Sequence, residues 1–335
     1  MRRADLDPEM SDGVRSAPRV QGKTILERYE ELYASGEMSL SKTYADKFPL
    51  LEHLLREEVA GGSVLDFGCG PGRLSLMLAR FADRVHGVDF SAPGIGIADL
   101  LAEITSTENV RFTVADLDAV AGSDERYDVV VAAGTIEHLP DPLDALRVWQ
   151  RVLVPGGLLA IQTPSFDNFR GDVYNTLGGL LGLPMSLTDV RQVRNADAEG
   201  WAGELDMDLE RVVGGHYDLG FLDRAAEDLR TRAPKAARDA ALGDGWDWEA
   251  FFAWMERRVE DNRLLIRHLR DTGVLRELPE CEPLRAERPE GMDGETWAVL
   301  HEYLTYSGWR ERLHTDTAPF CFYGASAVYL LRATG

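Results

Sequence analysis

Val64-Leu65-Asp66-Phe67-Gly68-Cys69-Gly70-Pro71-Gly72 is the stretch that decides the fold. The apolar run from Ser63 to Phe67 contains a β-branched valine and reads as a strand buried on both faces. The glycines after it permit left-handed backbone and let a ligand approach the main chain closely. Arg73 to Phe81 then reads as a helix whose first N–H groups face whatever the loop holds. A dinucleotide loop of the G-x-G-x-x-G type needs glycine at 73, where this chain has Arg73. A carboxylate at Asp66 would repel a pyrophosphate and suits a ligand with an ammonium group. Both features argue against a nicotinamide-dependent oxidoreductase.

Working outward, Arg84–Asp89, Asn109–Val114, Tyr127–Ala133 and Leu158–Thr163 read as four further strands. Helices are expected between them at Ile97–Ile104 and Leu143–Leu153, the latter stopped by Pro155-Gly156-Gly157. Residues 24–59 also read as helical, with Phe48, Leu51, Leu54 and Leu55 on one face of the run from Tyr44 to Val59. Strands alternating with helices predict an α/β chain with a doubly wound, Rossmann-like parallel sheet. Asp89 ends the second strand, where an acid accepts hydrogen bonds from ribose hydroxyls. Asp116 follows the third strand and is placed to meet an adenine amino group. Ribose, adenine and an amino-acid end without a phosphate clamp together describe S-adenosylmethionine (SAM).

Five blocks in order carry a family resemblance: VLDFGCGPGRLS, VHGVDFS, ADLD, YDVVVAAGTIEHLPDP and LRVWQRVLVPGGLLAIQTPS. They resemble the class I SAM-dependent methyltransferases, and among these the group that includes the ubiquinone-biosynthesis O-methyltransferases. The resemblance covers about 60–165 and resumes weakly over 319–334. It implies a seven-stranded sheet whose last strand is antiparallel, with SAM across the C-terminal strand ends. Carried over by position, Asp66, Gly68 and Gly70 would flank the methionine part and Asp89 would hold the ribose. Phe90 and Leu117 would sandwich adenine, with Asp116 on its amino group. Ala133 would offer its backbone to the methionine amine. The resembling ubiquinone enzymes place a metal-binding acid just before the Glu-His pair. Gly134 stands there here, so no metal is expected.

Methyl transfer is an in-line displacement that needs aligned reactants and, for many acceptors, a base. Glu137 and His138 follow the fourth strand, and His138 is the candidate general base. After Pro164 the alternation stops. Residues 167–315 read as mostly helical and hold six of the seven tryptophans, with an amphipathic run from Trp248 to Leu275. This stretch is expected to form a lid over a small-molecule pocket, with Tyr174 as a further candidate catalytic residue and His216-Tyr217 as substrate-facing candidates. The tail from Phe320 to Thr334 reads as two strands broken at Gly324. The expected organisation is a disordered tail at 1–23, a SAM-binding domain from 24–166 plus 316–335, and the insertion at 167–315.

Composition narrows the partners. A formal net charge of −21 opposes a nucleic-acid substrate. Three scattered cysteines give neither a disulfide framework nor a zinc motif, and Cys69 reads as a small buried filler. His301-Glu302 is no zinc motif either, since position 305 is threonine. No apolar run approaches a membrane span, and the first twenty residues lack the apolar core of a secretory signal. A cytoplasmic enzyme is the expectation. No [DN]PP[YF] motif follows the fourth strand, which disfavours adenine N6 or glutamine amide acceptors. What remains is O-, N- or C-methylation of a small molecule, with specialised metabolism as the expected setting. The alternative is attack at the aminocarboxypropyl carbon of SAM, releasing methylthioadenosine. Oligomeric state is not legible.

Overall fold

The computed structural model describes residues 19–20, 23–24, 47–168, 171, 173, 175–176, 191–215, 220–239, 245–279, 281–305 and 324–334. Five strands, β1 (Ser63–Phe67), β2 (Arg84–Asp89), β3 (Val110–Val114), β4 (Tyr127–Ala133) and β5 (Leu153–Pro164), pair in parallel. β6 (Met207–Gly215) and β7 (Ser326–Ala333) complete a seven-stranded sheet in the order β3-β2-β1-β4-β5-β7-β6. β7 runs antiparallel to both of its neighbours. The strand order reverses at β1, so the crevice beyond its C-terminal end is where an open α/β sheet binds ligands.

Alternation along the strands splits the core into two layers, because successive side chains point to opposite faces. Val64, Val129, Val131, Leu158, Ala160, Val328 and Leu330 face one cluster. Helices α1 (Phe48–Leu55), α2 (Arg73–Leu78) and α3 (Ala92–Ile104) cover that face. Leu65, Phe67, Val130, Ala132, Leu159, Ile161, Tyr329 and Leu331 face the other. The short α4 (Leu117–Ala121), α5 (Pro142–Arg151) and α6 (Asn195–Leu205) contribute to this second layer, with Trp149 fully buried against Phe67. α3 starts five residues before the expected Ile97, because Ser91 caps it through the Gly94 N–H and Pro93 sits in its first turn.

Two readings of the sequence need correction. The stretch 167–315, read as a mostly helical lid, also supplies the sheet, since β6 lies inside it and forms one sheet edge. Its alternation is broken by a register shift between Leu209 and Arg211, which hides the two-residue period. α6 and α9 (Gly294–Thr305) also come from this stretch and pack on the sheet layers, through Trp201 and through Leu300, Tyr303 and Leu304. A separate small core joins α7 (Gly220–Asp239) to α8 (Trp248–Asp271) through Leu229, Ala233, Phe252 and Met255. Second, the described tail is one strand from Ser326, preceded by a bend at 324–325, and the sheet's remaining strand is β6 rather than a tail hairpin. Near the N-terminus, Arg19–Val20 pairs with Lys23–Thr24 in a two-residue antiparallel ladder that reaches into the segment read as a disordered tail.

Candidate active site

The glycine loop turns because its residues can take positive φ where others cannot. Gly68 has φ +75°, and a Cβ there would lie 2.3 Å from Thr135 Oγ1. Gly72, the N-cap of α2, has φ +78°, and its Cβ would strike the Phe112 ring at 2.5 Å. The loop is pinned to the end of β2: Gly68 N and Cys69 N both donate to the Val88 carbonyl, at 2.8 and 3.0 Å. Cys69 is buried, and burial pushes its thiol well above the usual range, so it is a filler and not a thiolate.

Two buried acids stand at the ends of neighbouring strands. Asp66, 1% exposed at the end of β1, accepts the Ser75 hydroxyl at 2.6 Å. Burial raises its carboxyl to about 6, against the lowering effect of Ser75 and the Lys47 ammonium. Asp89 ends β2, and each of its oxygens is fixed: Oδ2 accepts the Gly70 N–H at 2.9 Å and Oδ1 the Ser91 N–H at 2.8 Å. Burial moves Asp89 upward too, opposed by those two bonds. Arg73, where a dinucleotide loop would have glycine, is buried with its guanidinium 5.6 Å from the centre of the Tyr303 ring of α9.

Of the other residues singled out by sequence, those described lie at or just after the ends of the parallel strands. Phe90, just after β2, is 39% exposed, unusual for a large apolar side chain, and Val114 at the end of β3 is 52% exposed. Leu117 is half-buried in the second layer. Asp116 caps α4 by accepting the Ala119 N–H at 2.9 Å with Oδ1. Ala133 ends β4, and its carbonyl accepts a hydrogen bond from the Lys47 ammonium at 3.1 Å. Glu137 and His138 lie on a single 3-10 turn directly after, with Glu137 buried and its Oε1 4.0 Å from His138 Nε2. Tyr174, His216 and Tyr217 lie outside the described residues.

Sequence reading missed Lys47, Thr135 and Arg191. Lys47 sits at the start of α1, 86 residues from the carbonyl it meets, and packs on Gly134 so closely that a Cβ there would lie 2.2 Å from Nζ. The one clue was its rarity, as one of four lysines in a chain whose other basic residues are arginines. Thr135 donates to the Phe67 carbonyl at 3.3 Å and fills the space that Gly68 leaves open. Among the described residues, no group of three or more His, Cys, Asp or Glu side chains could hold a metal ion, and no helix is long and apolar enough to cross a membrane.

Comparison with known proteins agrees with this geometry. A family model described as a methyltransferase domain matches residues 40–217, just over half of the chain. The ubiquinone biosynthesis O-methyltransferase of Alkalilimnicola ehrlichii is 32% identical over 163 residues, covering 47% of this chain and 65% of that protein. The protein of the same name from Pseudomonas savastanoi pv. phaseolicola is 30% identical over 185 residues, covering 53% and 78%. The chain thus spans from just under two thirds to just over three quarters of these relatives, and a little under half to just over half of it is matched. A magnesium protoporphyrin IX methyltransferase from Synechocystis, solved with bound SAH, has a TM-score of 0.45 at 20% identity, covering 56% of this chain and 86% of that one. With the sheet order, the glycine loop and the family match in agreement, the chain belongs to the methyltransferase-domain family, as a class I SAM-dependent methyltransferase.

Proposed function

We propose that the chain transfers the methyl group of SAM to an oxygen, nitrogen or carbon of a small molecule in specialised metabolism. The observation that carries this reading is the pair of buried acids, Asp66 and Asp89, fixed on either side of a glycine loop that has no basic phosphate clamp. That donor set fits a cationic nucleoside. The Ala133 carbonyl accepts one hydrogen bond, from Lys47, and has a second lone pair that the cofactor's ammonium would use. Asp89 would take the ribose hydroxyls with lone pairs left after its two backbone bonds. Phe90 and Leu117 would bracket adenine, with Val114 as an added apolar wall and the free oxygen of Asp116 toward the amino group.

SAM supplies an activated methyl on a sulfonium; the protein's part is alignment and proton handling. His138 would take the acceptor's proton as the acceptor attacks the methyl carbon, and the electron pair of the broken bond stays on sulfur. Glu137, buried beside His138, would stabilise the imidazolium that forms. The test is the mass of the nucleoside product after incubation with SAM and an acceptor panel. S-adenosylhomocysteine (SAH) is the expected product, and its absence across a broad panel overturns the reading. Methylthioadenosine instead would assign attack at the aminocarboxypropyl carbon.

A further inference from the structure

The turn that carries Glu137 and His138 is anchored at its start, where Ile136 is buried in the second core layer and Thr135 bonds to the Phe67 carbonyl, and its far side is met by one more residue. The segment is a single 3-10 turn, closed by His138 N donating to Thr135 O at 3.0 Å and Leu139 N to Ile136 O at 3.2 Å. Such turns have poor hydrogen-bond geometry and leave carbonyls unsatisfied at their ends. Here three carbonyls of the turn and its exit are taken by one residue from far along the chain. Arg191 N donates to Glu137 O at 3.3 Å, Arg191 Nε to Leu139 O at 3.1 Å, and Arg191 Nη2 to Pro140 O at 2.5 Å.

Arg191 is itself fixed to the sheet. Two residues on, Val193 is buried in the second core layer. Four residues on, Asn195 opens α6; its Oδ1 accepts the Tyr329 hydroxyl at 2.9 Å, and its N–H donates to Asp167 at 2.9 Å. Tyr329 lies inside β7 and is 1% exposed. At the other end of α6, Leu205 O accepts from Gln150 Nε2 of α5 at 2.6 Å. α5 begins right after the turn, at Pro142. The two helices therefore close a clasp, with Arg191 at the turn and Gln150 at the far end. A planar guanidinium can hold two carbonyls at fixed separation, which an ammonium cannot.

We propose that Arg191 is a positioning residue, the strut through which the sheet fixes the Glu137-His138 turn against the methyl-transfer site. The proposal rests on the reading of that turn as the acceptor side of the site. Displacement of a catalytic group by about 1 Å can cost roughly a hundredfold in rate, so a strut anchored in the core has a function beyond stability.

The test uses the full chain with SAH as the probe. In Arg191→Ala, amide hydrogen exchange across 136–141 is expected to speed up at least about tenfold, while amides of β4 stay protected. The His138 ring resonance, assigned by its loss in His138→Gln, is expected to shift in Arg191→Ala. Millimolar guanidinium should return it toward the parent position, with no such effect on the parent chain. SAH affinity is expected to stay within about twofold, because the hydrogen bonds of Arg191 described above go to the 137–140 segment and not to Asp66, Asp89 or the glycine loop. Unchanged exchange over 136–141, or a shift that guanidinium does not reverse, overturns the proposal. Failure of SAH to bind the parent chain would instead overturn the functional reading, and the exchange result would still decide the role of the strut. If Arg191→Ala does not fold, Arg191→Lys keeps the charge and removes the fork; it should give intermediate exchange, and parent-like exchange would equally overturn the proposal.

Discussion

At the scale of single residues, Asp66 gives the clearest pH signature. Its carboxyl is raised to about 6, mainly by burial. Between roughly pH 4 and 6 the folded chain keeps a proton that the unfolded chain loses, so stability falls as pH rises through that window, by on the order of 3 kcal/mol, and is flat above it. Binding of an ammonium-bearing ligand goes the other way, since it favours the carboxylate. Calorimetric SAH affinity should rise through pH 6 and level off above about pH 7, and Asp66→Asn should flatten the profile. Asp89 makes a different prediction. Its two backbone bonds mean that Asp89→Ala harms the fold as well as the proposed ribose site, by roughly 1–3 kcal/mol through unpaired N–H groups. Asp89→Asn keeps one acceptor oxygen but turns its NH2 toward the second backbone N–H, so it should lose about 1–2 kcal/mol of stability while weakening SAH by about 10- to 100-fold. An Asn variant with parent affinity would remove Asp89 from the site. Both acids were legible in sequence because each ends a strand at a recognisable place. Lys47, Thr135 and Arg191 were not, since each acts on residues more than fifty positions away and belongs to no local pattern.

At the scale of elements, the parallel strands were legible because burial on both faces leaves continuous apolar runs such as VVVAA. The edge strand β6 was not, because its exposure pattern does not keep a two-residue period, with Glu210 and Arg211 both exposed at the register shift and Val213 to Gly215 all buried. Helix α9 shows how the later chain supports the site. Tyr303 is almost fully buried beside Arg73, at the start of the helix that leaves the glycine loop. Tyr303→Ala should destabilise the fold by about 3–5 kcal/mol, as for other buried aromatic truncations. Tyr303→Phe keeps the ring over the guanidinium and should cost less than about 1.5 kcal/mol. Thermal unfolding distinguishes the two; equal losses would mean that the hydroxyl, and not the ring, holds α9 in place.

At the scale of the whole molecule, the net charge of −21 acts on the cofactor before contact. SAM carries one more positive charge than SAH, so a strongly acidic chain should draw it in faster, and salt should screen the difference. Stopped-flow association of SAM is expected to slow several-fold between about 20 and 500 mM salt, with SAH much less affected. Equal salt dependence would place the site outside the acidic field. The architecture as a whole was readable in sequence as a doubly wound sheet, whereas the way 167–315 divides between sheet, supporting helices and the α7–α8 pair depended on contacts that no local pattern encodes.

The central claim is that the turn between β1 and α2 holds a cationic adenosine compound. Calorimetric titration of the full chain at neutral pH, with SAH in one run and a nicotinamide dinucleotide in another, tests it most directly. Saturable one-to-one heat with SAH and none with the dinucleotide is the predicted result. Heat with the dinucleotide alone, or with neither, would contradict it.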